Sequence, residues 1–207
     1  MSDERAPAPP LRAERFKAFV DAVVAIAMTL LILPLLESVS EAATEGIGTA
    51  QFLGEHAGQL MSFGLSFVLI ATFWMEHHRV YSRVEASTSA LLWINVLWMV
   101  TIVWLPVPTA MLGQMDNDPL QAVVYIGTLT MTQIATLLGK VYLMRHPALH
   151  GYPEGMLRDG AIGDVASTIL FVIALPIAAW VHPLGYFALL LVALTGPVAR
   201  ILKHLQR

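Results

Sequence analysis

The residues most able to do chemistry are carboxylates, histidines and hydroxyls set inside apolar runs. Asp21 and Glu37 bracket "AVVAIAMTLLILPLL", with Thr29 between them. Glu76, His77 and His78 close a second apolar run, and Asp164 sits near the start of another. Thr128, Thr132 and Thr136, beside Gln133, form a polar rail at helical spacing. An ionisable group in a lipid-spanning helix is expensive and faces protein or water with a partner. Asp21 therefore admits two readings, a structural ion-pair or hydrogen-bond knot and a proton relay, of which the first is favoured. Arg15, Arg79, His77 and His78 are its plausible partners. Glu76-His77-His78 has suitable ligand types for zinc or iron. Adjacent helical histidines diverge by about 100°, however, and no HExxH follows, so packing and hydrogen bonding are the better reading. The threonine rail is read as helix–helix glue, with a solute path as the alternative. Asp164 is expected to pair with Arg158 or with a neighbouring span.

The elements that must position these groups follow from composition. The 207 residues are 57% hydrophobic and 13% charged, with mean hydropathy +0.66. Soluble domains carry roughly 25% charged residues, so the chain is expected to be an all-α integral membrane protein. It has no cysteine, which excludes disulfides, thiolate metal sites and cysteine nucleophiles. A bilayer core of ~30 Å takes ~20 mostly apolar residues per helix. Six windows qualify: 16–36, 57–79, 88–112, 120–144, 161–181 and 184–203. Residues 1–14 read as a polar, Pro/Ala-rich disordered cytoplasmic tail, and 15–207 as one six-helix unit. A cleaved leader ending at "SEAA" is the alternative; Asp21 interrupts what would be its apolar core, so a retained first span is preferred.

All 12 Lys and Arg fall on one side of this plan. Arg5, Arg12, Arg15 and Lys17 precede the first span, and Arg79 and Arg83 follow the second. Lys140, Arg145 and Arg158 lie around the fourth-to-fifth connection, and Arg200, Lys203 and Arg207 end the chain. The positive-inside rule then makes both termini cytoplasmic, in the inner (plasma) membrane. The opposite connections carry Glu37, Glu41, Glu45, Glu55, Asp116 and Asp118. On a helical wheel Phe19, Ile26, Leu30, Leu33 and Glu37 share one face, while Asp21 lies about 140° from Ile26. Spacing alone makes that aliphatic rail a lipid-facing or packing surface.

"RxxxFVDAVxAIxxTLLILP", from Arg15 to Pro34, closely resembles the first-helix signature of the transmembrane protein 175 potassium channels, written RxxxFSD. "FWMEHH" (73–78) and "LLWINVLWMVTIVWLPVPTAML" (91–112) extend the likeness; the second half agrees mainly in span count. The resemblance implies a potassium-selective channel without a TVGYG filter, and this sequence has no TVGYG. It implies a pore lined by the first helix of each subunit in a homotetramer. Carried over by position, Ile26, Leu30 and Leu33 form the constriction and Thr29 bears on potassium preference. Arg15, Phe19, Asp21, Trp74, His77 and Asn95 form a cytoplasmic-end network. Val20 departs from the family's usual serine, which removes a hydroxyl from that network. Glu37 would stand at the outer mouth, as attractor of cations or as ordinary solvated charge. No cofactor, resident metal or nucleic-acid partner is expected beyond the permeant potassium ion and lipid. Nor is an enzymatic activity, since no phosphate loop or nucleophile elbow is present. The rival reading is a small proton- or sodium-coupled transporter using the threonine rail with Asp21 or Asp164.

Overall fold

Proline decides where the long apolar runs bend. In the computed structural model the first run begins as α1 (Ala13–Leu30) and resumes, after a turn at Leu31 and Ile32, as α2 (Leu33–Thr44). Pro34 has no N–H to offer the Leu30 carbonyl, and its ring crowds that same carbonyl. The chain tightens there, with Ile32 N donating to Thr29 O at 3.3 Å, and the regular pattern returns with Leu36 N to Ile32 O. Together Ala13–Thr44 make one apolar stretch long enough to span. A second proline break, at Pro106, divides α5 (Ser89–Trp104) from α6 (Pro106–Gln114). Between these two rods come the short α3 (Thr49–Glu55) and the long α4 (Ala57–Tyr81). α7 (Pro119–Arg145) and α8 (Met156–Trp180) follow, then α9 (Thr195–Leu205). The structure describes residues 11–116, 118–153, 155–180, 191 and 194–205.

Five stretches among the described residues are long and apolar enough to cross a membrane: Ala13–Thr44, Ala57–Tyr81, Ser89–Gln114, Pro119–Arg145 and Met156–Trp180. They match the first five expected windows, with two differences. The first helix continues past residue 36 to Thr44, and α8 starts at Met156, five residues before the expected 161. Residues 184–190, 192 and 193 of the expected 184–203 span lie outside the described residues. Its far end is α9, whose Thr195 hydroxyl meets Ser167 of α8 at 3.1 Å. Of the expected 1–14 tail, residues 1–10 lie outside the described residues, and Leu11–Arg12 form a short strand followed by the start of α1 at Ala13.

Helix starts are capped where the sequence offers a cap. The Thr88 hydroxyl accepts from Leu91 N at the start of α5, and the Asp118 carboxylate accepts from Gln121 N at the start of α7. At one end of the bundle β1 (Leu11–Arg12) pairs antiparallel with β2 (Ala86–Ser87), Leu11 opposite Ser87. Val84 bridges His150, and Glu85 N donates to Leu149 O. The N-terminal approach, the α4–α5 turn and the α7–α8 connection therefore meet at that end. Arg12 and Arg83 lie in these segments, and Arg145 ends α7 beside them.

One apolar cluster joins five helices: Val20, Val24 and Ala27 of α1, Ile70 and Phe73 of α4, Trp98 and Ile102 of α5, Tyr125 and Leu129 of α7, and Phe171 of α8. α7 packs chiefly on α8 and α5. Small residues allow the closest approaches. A Cβ on Gly113 would stand 2.7 Å from Ser62 Oγ and 3.0 Å from Gln59 Cα, so α6 and α4 touch only because this position is glycine. Many large apolar side chains, Trp93, Val100 and Val172 among them, are instead exposed around the bundle. A bilayer makes that arrangement ordinary, since lipid tails are as apolar as leucine.

Candidate functional site: the exposed rail of the first helix

α1 is two-sided. Val20, Val24, Ala27 and Leu31 are buried against the neighbouring helices, on a face about 120° round the helix from Ile26. Ile26 is 60% exposed, Leu30 38% and Leu33 47%. Phe19 is exposed toward the N-terminal end of the same rail and Glu37 at its far end. The three aliphatics are thus not consumed by packing inside their own chain. Val20 lies wholly within the apolar cluster, where a methyl pair fits and a serine hydroxyl would need a partner.

Thr29 is exposed beside the rail, and its hydroxyl donates to Ile26 O at 2.7 Å. With its proton so directed, the oxygen presents only lone pairs outward. That is the polarity a cation prefers.

The residues expected at the inner end divide into two groups. Trp74 Nε1 donates to Asp21 Oδ1 at 2.8 Å, tying α4 to α1. Of the partners that spacing alone suggested for Asp21, Arg79 binds Glu76 instead, and His77 turns to Asn95. His77 and Asn95 are buried, with His77 Nε2 2.7 Å from Asn95 Oδ1. The Asn95 amide donates to Tyr81 Oη and to Leu91 O, so its oxygen is left to accept and His77 Nε2 carries the proton. The His77 ring lies between Tyr81, stacked at 4.3 Å, and Trp98, also at 4.3 Å. Trp74, His77 and Tyr81 occupy positions i, i+3 and i+7 of α4 and so share one face. Arg15 and Phe19 stand apart from both groups, exposed on α1.

Elsewhere the polar residues are engaged in packing. Thr128, Thr132 and Thr136 are buried and each donates to the carbonyl four residues back. Gln133 donates to Asp164 Oδ1 at 2.9 Å, and Asp164 pairs with Lys140 at 2.8 Å. Asp164 thus takes the neighbouring-span partner rather than Arg158. Lys140 also reaches Glu76 Oε1 at 2.6 Å, and its side chain is only 2% exposed. Counting Lys140 as a charge of the connecting loop missed this burial. The signal available was its place about one turn inside the apolar 120–144 window. Among the described residues no group of three or more His, Asp or Glu is arranged to hold a metal ion.

Several apolar stretches of spanning length define a multi-pass α-helical membrane protein. The family model described as "Endosomal/lysosomal potassium channel TMEM175" matches residues 15–106. The chain belongs to the TMEM175 family. A potassium channel of Streptomyces collinus is 32% identical over 138 residues, covering 67% of this chain and 66% of that one. A potassium channel of Chamaesiphon minutus is 33% identical over 116 residues, covering 55% of this chain and 57% of that one. The chain thus spans just under two thirds of the first relative's length and less of the second's. The mouse endosomal/lysosomal proton channel TMEM175 is 30% identical over 124 residues, 55% of this chain and 24% of that protein. The crystal structure of a lysosomal potassium-selective channel TMEM175 homologue from Chamaesiphon minutus superposes with a TM-score of 0.63 at 23% identity, covering 92% of this chain and 93% of that one. The fold is therefore shared over nearly the whole chain, including the half where the motifs fade.

Proposed function

We propose that the chain is one subunit of a homotetrameric, potassium-selective cation channel of the inner (plasma) membrane. It crosses the membrane six times, with both termini cytoplasmic. The observation that carries this reading is the exposed rail of Ile26, Leu30 and Leu33 on a helix whose other face is buried. Four such rails around an axis make a narrow apolar neck. A neck of this kind dewets when narrow and conducts when slightly widened, with no carbonyl ring required. The relatives' printed functions and the shared fold support the same reading.

Selectivity then follows from dehydration. Potassium gives up water more readily than sodium, and the outward lone pairs of Thr29 replace part of the lost shell. Glu37, Glu41 and Glu45, all exposed on or just beyond α2, raise the local cation concentration at the outer mouth. The Trp74–Asp21 contact holds the inner half of α1 against α4, and the His77–Asn95–Tyr81 contacts hold α4 against α5. The chain acts as a conduit and not as a catalyst. A coupled transporter is the weaker reading because the threonine rail it requires is buried, with its hydroxyl protons directed to the helix's own carbonyls.

The test is potassium flux into liposomes reconstituted with purified protein. Ile26→Asn wets the neck and should raise basal flux above that of the native chain. Equal flux would remove Ile26 from the conduction path.

A further inference from the structure

The buried charge at Lys140 lies away from the pore face, and three helices are built around it. Its Nζ sits 2.8 Å from Asp164 Oδ2 on α8 and 2.6 Å from Glu76 Oε1 on α4. Gln133, two turns back on α7, donates to the other Asp164 oxygen, and Arg79 donates to the other Glu76 oxygen at 2.9 Å. Two cations and two carboxylates thus close into a neutral chain. Gly160 of α8 makes the room: a Cβ there would stand 3.2 Å from Lys140 Nζ.

Glu76 is two residues beyond Trp74 on α4, about 200° round the helix. One face of α4 therefore grips Asp21 of α1, and the opposite face grips Lys140 and, through it, α8. A buried charge leaves such a pair only at high cost, whereas Glu76 is partly exposed and already shared between Lys140 and Arg79. The weakest joint of the assembly is the one on α4.

We propose that Glu76, Lys140 and Asp164 are positioning residues for the gate: their ion-pair chain fixes α4 against α7 and α8, and through Trp74–Asp21 sets the inner half of α1. This rests on the reading of α1 as the pore helix. Releasing the chain frees α4 to shift and moves the open–closed balance without changing which ion passes.

The experiment is a double-mutant cycle on single-channel open probability in planar bilayers, using Lys140→Met, Trp74→Phe and the pair. Each single change should move open probability by roughly two- to thirtyfold, with the potassium-over-sodium ratio unaltered. The two effects should be non-additive, because a bracket released on one side has nothing left to transmit from the other. Lys140→Arg, which keeps the charge, should restore native gating. Additive effects, or open probabilities unmoved by either change, overturn the proposal. If Lys140→Met does not assemble, Glu76→Gln replaces it in the same cycle, at a partly exposed site. If the native protein itself carries no current, the channel reading fails separately. The cycle is then read from nitroxide distances between copies labelled at Ala18→Cys, an exposed α1 position in a chain with no native cysteine. Additive or absent distance changes overturn the coupling there too.

Discussion

Trp74 and Asp21 show how a carboxyl inside a spanning helix is accommodated. The indole gives one N–H and asks for nothing back, so Asp21 Oδ1 gains a donor without a second charge being brought into the span. Trp74→Phe keeps the ring and removes the donor. It should lower stability in detergent by roughly 1–2 kcal/mol, read as a fall in the thermal transition, and an unchanged transition would mean that water replaces the indole. Thr29→Val removes the outward oxygen and should narrow the potassium-over-sodium ratio under bi-ionic conditions. An unaltered reversal potential would take Thr29 out of selectivity. The sequence announced Asp21 as costly, yet charge logic pointed to Arg79 and His77. Periodicity could not show that Arg79 would find Glu76 one turn away, or that Asn95 would claim His77 from another helix. Which long side chain reaches which carboxyl is settled by packing, and packing is not written at any one position.

At the scale of elements, the spans were legible because each is a long apolar run punctuated by proline, glycine or charge. Boundaries were less so. α8 begins five residues early because "MLRDG" is polar yet follows a turn at Gly155, which has φ +83°. The Pro34 break has a direct test. Pro34→Ala returns the N–H that the Leu30 carbonyl lacks, so amide exchange across residues 31–36 should slow as α1 and α2 fuse. Exchange as fast as in the native chain would place the bend under tertiary control. Close packing gives a second test through glycine. A Cβ on Gly139 would stand 2.6 Å from Tyr81 Oη, pushing Tyr81 off Asn95, whereas one on Gly127 meets nothing within 4 Å. Gly139→Ala should therefore cost about 1–3 kcal/mol, and Gly127→Ala should be neutral or stabilising. Equal transitions for the two variants would contradict the tight α4–α7 approach.

At the scale of the whole molecule, a single chain leaves its most conspicuous aliphatic rail uncovered. Residue types identified the rail and the first-helix motif gave it meaning, but spacing alone could not separate lipid, packing and pore, because all three want leucine and isoleucine. The fold supplies one further constraint: the rail is not spent inside its own chain. What covers it is the central question, and the absence of native cysteine makes it directly accessible. Single cysteines at Ile26, Leu30 and Leu33, and a control at Val172 on the exposed face of α8, can each be treated with a water-borne thiol reagent during recording. If four first helices enclose a passage, modification at the three rail positions changes the potassium current and modification at Val172 does not. If currents through the rail variants are as indifferent to the reagent as those through the Val172 control, the first helix does not line the path.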